Sequence, residues 1–193
     1  MVLENLKNYR IILASKSPRR QELLADLGIE FETETHEIDE VFPEGLPMEE
    51  IPQFLARLKA EPFVGTMKEN DLVITSDTIV YVEGEVLGKP ADYTDAVKMM
   101  EKLSGRRHEV VTGVCLTSKN KQVSFASVTD VFFKALSRDE IDYYITHYKP
   151  YDKAGAYGIQ EWIGYIGIER IEGSYFNVMG LPVQHLYEEL RKW

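Results

Sequence analysis

Between Ile11 and Gly28 the chain has little freedom in how it folds. Ile11-Ile12-Leu13-Ala14 is short, apolar and β-branched, the make-up of a buried strand. Gln21-Glu22-Leu23-Leu24-Ala25-Asp26-Leu27 follows with helical spacing and stops at Gly28, a residue type that tolerates the left-handed conformation at helix ends. The hexapeptide between them, Ser15-Lys16-Ser17-Pro18-Arg19-Arg20, is a strand-to-helix turn. Ser17 suits the N-cap, and Pro18 the first helical position, where a missing N–H costs nothing. Arg19 and Arg20 then fall in the first helical turn, where the macrodipole makes a cation unfavourable by about 0.3–1 kcal/mol. Serine hydroxyls, N–H groups without helical partners and two guanidiniums together describe an anion site, and phosphate suits it best. The alternative is that both arginines are solvated or paired with acidic neighbours. On the anion reading, removing Arg20 leaves the free protein unchanged or slightly more stable.

At 193 residues the chain makes one domain or two closely packed lobes. A net charge of −10 argues against a non-specific nucleic-acid or membrane binder, which needs a broad basic face. It does not argue against a small anionic ligand held by a few converging cations, or by a metal on carboxylates. His36, His108, His147 and His185 lack metal-ligand spacing and there is no CxxC, so zinc is not expected. Cys115, the single cysteine, excludes an internal disulfide and reads as a small core residue. No apolar stretch reaches the roughly 18 residues of a membrane span, and the N-terminus has no signal-peptide pattern, so the expected location is cytoplasmic.

Along the rest of the chain, Ile29 to Thr35 alternates as a half-exposed strand, and Asp39-Glu40 is a carboxylate pair before a loop containing Pro43, Gly45 and Pro47. Ile51, Phe54, Leu55 and Leu58 predict a helix over about 49–60, with Lys59 at the edge of its apolar stripe, where a lysine usually snorkels to water. Leu72 to Val80 is the strongest strand signal, interrupted by Ser76-Asp77-Thr78. An aspartate inside a buried run costs several kcal/mol unless paired, hydrogen-bonded or metal-bound. Asp77 is therefore the best candidate for a catalytic carboxylate, with a structural hydrogen-bonding role as the alternative. A hairpin at Glu83-Gly84 leads to Lys89, placed as a ligand-reaching lysine or an ordinary loop lysine.

A helix over 92–103 and a hairpin of strands over 108–118 and 123–134 come next. The box Ser137-Arg138-Asp139-Glu140 opens a helix burying Ile141, Tyr144, Ile145 and Tyr148. Asp152 to Gln160 is too glycine-rich for a regular element and could bring backbone close to a ligand, while the Gln160 amide suits the edge of a base. Ile163 to Ile171 predicts a strand, 173–180 a turn-rich link, and Pro182 opens a last helix burying Leu186, Tyr187 and Leu190.

Seven segments in order, SKSPRRQELLADLG, LARLKAE, SDTIV, EVLGKP, LSGRRHEVVTGV, DKAGAYGIQ and GSYFNVMGLP, resemble the Maf family of nucleoside triphosphate pyrophosphatases over nearly the whole chain. The resemblance implies a single domain over residues 1–193 with an α/β fold like that of inosine triphosphatases. In that fold a mixed, strongly twisted sheet and flanking helices form two lobes around a central cleft. It also implies metal-dependent hydrolysis between the α and β phosphates, giving the monophosphate and pyrophosphate. Carried over by position, Ser15, Ser17, Arg19, Arg20, Lys59 and Lys89 bind phosphate, Asp77 is the general base, and Glu40 joins Asp77 at a Mg²⁺ or Mn²⁺ ion. Ser76 stands where the family more often has alanine. The DKAGAYGIQ form is similar to the branch preferring dTTP and UTP rather than methylated GTP, with Arg19 or Arg20, Thr78 and Gln160 at its specificity positions. The expected partner is a small nucleoside triphosphate, with neither nucleic acid nor membrane, and a homodimer remains open. A nucleotide-binding regulator of cell division with little turnover, or a member of the methylated-GTP branch, is the alternative.

Overall fold

The strand–turn–helix reading of the first segment holds in the computed structural model, which describes residues 3–193. Strand β1 (Arg10–Leu13) leads through the turn into helix α1 (Pro18–Asp26), which buries Leu23 and Leu24. The expected strand over 29–35 shrinks to β2 (Glu32–Thr33), two exposed residues paired in parallel with Ile12 and Leu13 of β1. It is the outermost strand, with a neighbour on one side only, so pairing ends where β1 ends.

Helix α2 (Glu50–Val64) runs four residues past its expected end and carries Pro62 in its last turn. Phe63 is the reason: its side chain is buried against Ile12 and Val73, so packing outweighs the lost proline N–H. Strand β3 (Asp71–Val82) turns at Glu83 and Gly84, both with positive φ (50° and 86°), as a two-residue hairpin requires. It returns as β4 (Glu85–Leu87), antiparallel with Val80 opposite Leu87. Helix α3 (Tyr93–Leu103) is capped by Asp92, whose carboxylate accepts from the Asp95 N–H at 2.9 Å.

Strands β5 (Arg107–Thr117) and β6 (Gln122–Phe133) are neighbours joined by residues 118–121, a connection too short for anything but an antiparallel pair. The capping box of α4 (Arg138–Tyr148) is present in both directions. Tyr148 is exposed rather than buried, its ring stacked on Tyr144. The glycine-rich segment holds one 3-10 turn, Ala154–Ala156.

The strand expected over 163–171 is a short helix, α5 (Trp162–Gly167), followed by β7 (Ile168–Glu172). Burial there follows a helical period, with Ile163 and Gly167 buried, Ile166 half-buried and Tyr165 at 80% exposure. A Cβ on Gly164 would stand 1.8 Å from the Ile159 carbonyl oxygen, so only glycine permits that tight turn. Two further helices, α6 (Tyr175–Met179) in the expected link and α7 (Val183–Arg191), complete the chain. Tyr187 is half-buried rather than buried, with the Arg191 guanidinium over its ring.

The strands form one mixed seven-stranded sheet in the order β2-β1-β3-β5-β6-β7, with β4 on β3. Internal contacts divide the chain into two units. The first comprises the chain up to Asp77, Thr112–Ser127 and Gly180–Trp193. In it β1 pairs in parallel with β3, and the buried Thr75 hydroxyl donates to the Ala56 carbonyl of α2 at 2.6 Å. Cys115 is buried there as expected, its Sγ 3.4 Å from the Thr117 hydroxyl, and burial pushes its thiol pKa up. The second comprises Thr78–Val111 and Val128–Met179, around a core that includes Val80, Met100, Leu103, Val131, Ile145 and Ile163. No helix of the described residues is long and apolar enough to cross a membrane.

His108 lies in that second core, its Nε2 2.7 Å from the Tyr157 hydroxyl and its Nδ1 buried without a partner. Burial pushes its pKa from 6.5 down to about 3. Unfolded, the histidine takes up a proton as pH falls below about 6.5; folded, it stays neutral until about 3. The unfolded state therefore binds more protons in that window, and stability falls with acidity. His108→Phe should lose about 3 kcal/mol less than the wild type between pH 7 and pH 4 in urea titrations. Equal losses in the two proteins would exonerate His108.

Candidate active site

The Ser15–Arg20 turn is built as the sequence suggests, with one difference. The Ser15 hydroxyl accepts from the Ser17 N–H at 3.2 Å and the Ser15 carbonyl accepts from the Gln21 amide at 3.1 Å, fixing the turn from both sides. Ser17 occupies the N-cap position, but its hydroxyl makes no capping bond. Ser15 and Gln21, with Lys16, Thr33, Glu34 and Thr35, line a small surface depression.

Arg20 departs from the sequence expectation. Its Nε donates to the Gly180 carbonyl at 2.7 Å and its Nη1 to the Ser76 carbonyl at 2.8 Å. Removal from water lowers its pKa, partly offset by Asp77 and Glu40. A cation at a helix N-terminus is thus supported by fixed carbonyl dipoles, one belonging to the residue just before Asp77. Arg20→Ala would leave both carbonyls short of a charge-assisted donor, so it should destabilise the protein by about 2–3 kcal/mol, not stabilise it. An unchanged urea midpoint would return Arg20 to the ligand-only role.

Asp77 lies on β3 and is buried, with 8% of its surface exposed. The Lys59 ammonium donates to its Oδ1 at 2.6 Å and stands 3.1 Å from Glu40 Oε1. Lys59 therefore does not snorkel to water: α2 delivers it to two carboxylates at once. Glu40, from a segment with no regular structure, reaches the same point. Among the described residues no group of three or more His, Cys, Asp or Glu is arranged to hold a metal. Asp77 and Glu40 converge instead on one cation, the Lys59 ammonium. Magnesium and manganese sites commonly use one or two carboxylates and fill the remaining positions with water and substrate phosphate, so the donor set fits.

In the second unit, Thr78 follows Asp77 on β3, Lys89 is exposed just beyond β4, and Gln160 is half-buried with its Oε1 shielded from solvent and unpartnered. The Gly155 N–H donates to the Gly88 carbonyl at 3.0 Å, tying the glycine-rich segment to the residue before Lys89. Gly155 has φ 67°, and a Cβ there would meet Val80 Cγ2 at 2.9 Å. Its small size thus serves packing on β3. The sequence reading also passed over Gly180, whose carbonyl holds Arg20, and Tyr144 and Glu161, which brace the chain beside Gln160. An acid directly after Gln160 was the available signal for Glu161.

A family model described as Maf-like protein matches residues 10–193. The chain belongs to the Maf family. Maf relatives extend over its full length: a protein of Phocaeicola vulgatus named dTTP/UTP pyrophosphatase is 58% identical, covering 99% of this chain and all of its own. One of Christiangramia forsetii with the same name is 55% identical, covering all of this chain and 98% of its own. Among solved structures, a HAM1 protein from Coxiella burnetii aligns with a TM-score of 0.50 at 18% identity, covering 96% of this Maf chain and all of that one. That likeness bears on the fold, which has the mixed sheet and flanking helices expected.

Proposed function

We propose that this Maf protein hydrolyses nucleoside triphosphates, dTTP and UTP foremost, to the monophosphate and pyrophosphate, with residues 1–193 acting as one catalytic domain. Full-length relatives carrying the name dTTP/UTP pyrophosphatase support the substrate class. The observation that carries the chemistry is Asp77, a carboxylate inside a buried strand, paired with Lys59 and backed by Glu40. Asp77 and Glu40 would hold a Mg²⁺ or Mn²⁺ ion, which supplies Lewis-acid neutralisation of phosphate charge. Asp77 orients an attacking water and takes its proton, aimed at the α-phosphorus for in-line displacement. Lys59 exchanges carboxylate oxygens for phosphate oxygens when the triphosphate arrives, and the Ser15–Arg20 turn and Lys89 hold the leaving pyrophosphate. None of these steps needs a covalent nucleophile.

Base selection is assigned to Gln160, with Thr78 beside Asp77 in sequence. The Gln160 amide can accept from N3–H and donate to O4 of uracil or thymine. Gln160→Leu should lower kcat/KM on dTTP and UTP about 10- to 100-fold, toward the level of purine triphosphates, because base groups are left unpaired. An unchanged pyrimidine preference would move base reading to Thr78 and backbone groups. The overall reading is tested by a nucleotide panel with product analysis. Pyrophosphate release from dTTP and UTP is the expected result, and release of single phosphate would overturn it.

A further inference from the structure

Gln160 carries a buried, unpartnered Oε1, yet the chain on either side of it is tightly fastened. The Gly158 N–H donates to the Tyr144 hydroxyl at 2.9 Å, and the Gly158 carbonyl accepts from the Glu161 N–H at 3.0 Å. The same Tyr144 hydroxyl donates to Glu161 Oε2. Glu161 Oε1 in turn lies 3.0 Å from the Lys153 ammonium, which also donates to Asp152 at 2.8 Å. The Lys153 side chain is only 9% exposed, and Tyr144 is fully buried in α4. One phenol thus uses both its acceptor and its donor on residues flanking Gln160. A lysine this buried is costly to desolvate, and removing its Glu161 partner would leave an uncompensated charge, so the pair holds the 153–161 segment in one arrangement.

We infer that Tyr144, Glu161 and Lys153 are positioning residues that clamp residues 158–161 and so aim the Gln160 amide at the base. None of the three need touch the substrate. Holding an amide carbonyl ready without an internal partner keeps it available to a donor on the ligand, and the clamp prevents the loop from relaxing to satisfy it internally. Gly155, in the same segment, extends the tether to Gly88 and hence toward Lys89. This inference rests on the assignment of base reading to Gln160.

The test uses Tyr144→Phe, which keeps the buried ring and removes the hydroxyl, and Lys153→Met, which keeps most of the stem and removes the charge. Each is measured for kcat and KM on dTTP and GTP, alone and combined with Gln160→Leu, and for amide hydrogen exchange over 158–161. Exchange should quicken at least about tenfold, since each lost bond frees a backbone or flanking group. The dTTP/GTP preference should fall about tenfold through KM with kcat held, and should fall no further when Gln160→Leu is already present. Glu161→Gln, which retains an amide in the clamp, should keep more of the preference than Glu161→Ala. The inference is overturned if folded Tyr144→Phe and Lys153→Met keep wild-type exchange and preference, or if the loss repeats in full in the Gln160→Leu background. A Gln160→Leu enzyme with wild-type preference overturns the base reading itself and this inference with it, a pattern distinct from failure of the clamp variants alone.

Discussion

Asp77→Asn should lower kcat on dTTP at least about 10²-fold while leaving a folded protein, because the amide keeps the shape of the carboxylate but cannot take a proton from water. Lys59 retains Glu40 at 3.1 Å, and the new amide can turn its oxygen toward the ammonium, so the half-buried lysine is not stranded. The stability cost is therefore expected to be small beside the catalytic one. Steady-state kinetics beside a urea titration separates the two. A folded variant turning over at near wild-type rate would remove Asp77 from the chemistry. Collapse of the fold would show that its main role is the ion pair.

Gly113→Ala should be the most damaging small substitution in the first unit. A Cβ at Gly113 on β5 would lie 2.3 Å from the Pro52 carbonyl carbon and 2.4 Å from the Gln53 nitrogen, both backbone atoms of α2. Backbone cannot swing aside as a side-chain end can, so α2 has to lift from the sheet. A loss of about 3 kcal/mol or more is expected, at the upper end of overpacking costs. Because α2 also carries Lys59 to Asp77, kcat/KM should fall with it even in the fraction that remains folded. A variant with an unchanged urea midpoint would mean that the helix rides higher on the strand than these distances imply.

Elements whose signals are local were legible in the sequence. The turn at Ser15–Arg20, the hairpin at Glu83-Gly84 and the Ser137–Glu140 box each depend on neighbours within a few residues, and each formed as read. Where distant packing decided, the reading failed. Phe63 drew α2 through a proline by packing on Ile12 and Val73. The strand expected over 163–171 gave way over its first half to a helix, for a local reason the apolar run does not announce, the turn of Gly164 against Ile159. Arg20 is the sharpest case at the site. Its charge and its place in the first turn were visible, but the Gly180 carbonyl that accepts from it lies 160 residues away. Asp77 was legible because a carboxylate in an apolar run is anomalous without any structure, whereas Lys59 looked like any lysine beside an apolar stripe until its two partners were in place.

The lone thiol gives the first unit a built-in gauge. Cys115 is buried in β5, with no second sulfhydryl in the chain to compete for reagent. Alkylation or a chromogenic disulfide must therefore wait for that strand to open, and at saturating reagent the labelling rate reports how often it does. The second unit contains no cysteine and stays silent in the same assay. Slower labelling on addition of a nucleotide would register a ligand that braces this half of the molecule, without any product having to be followed.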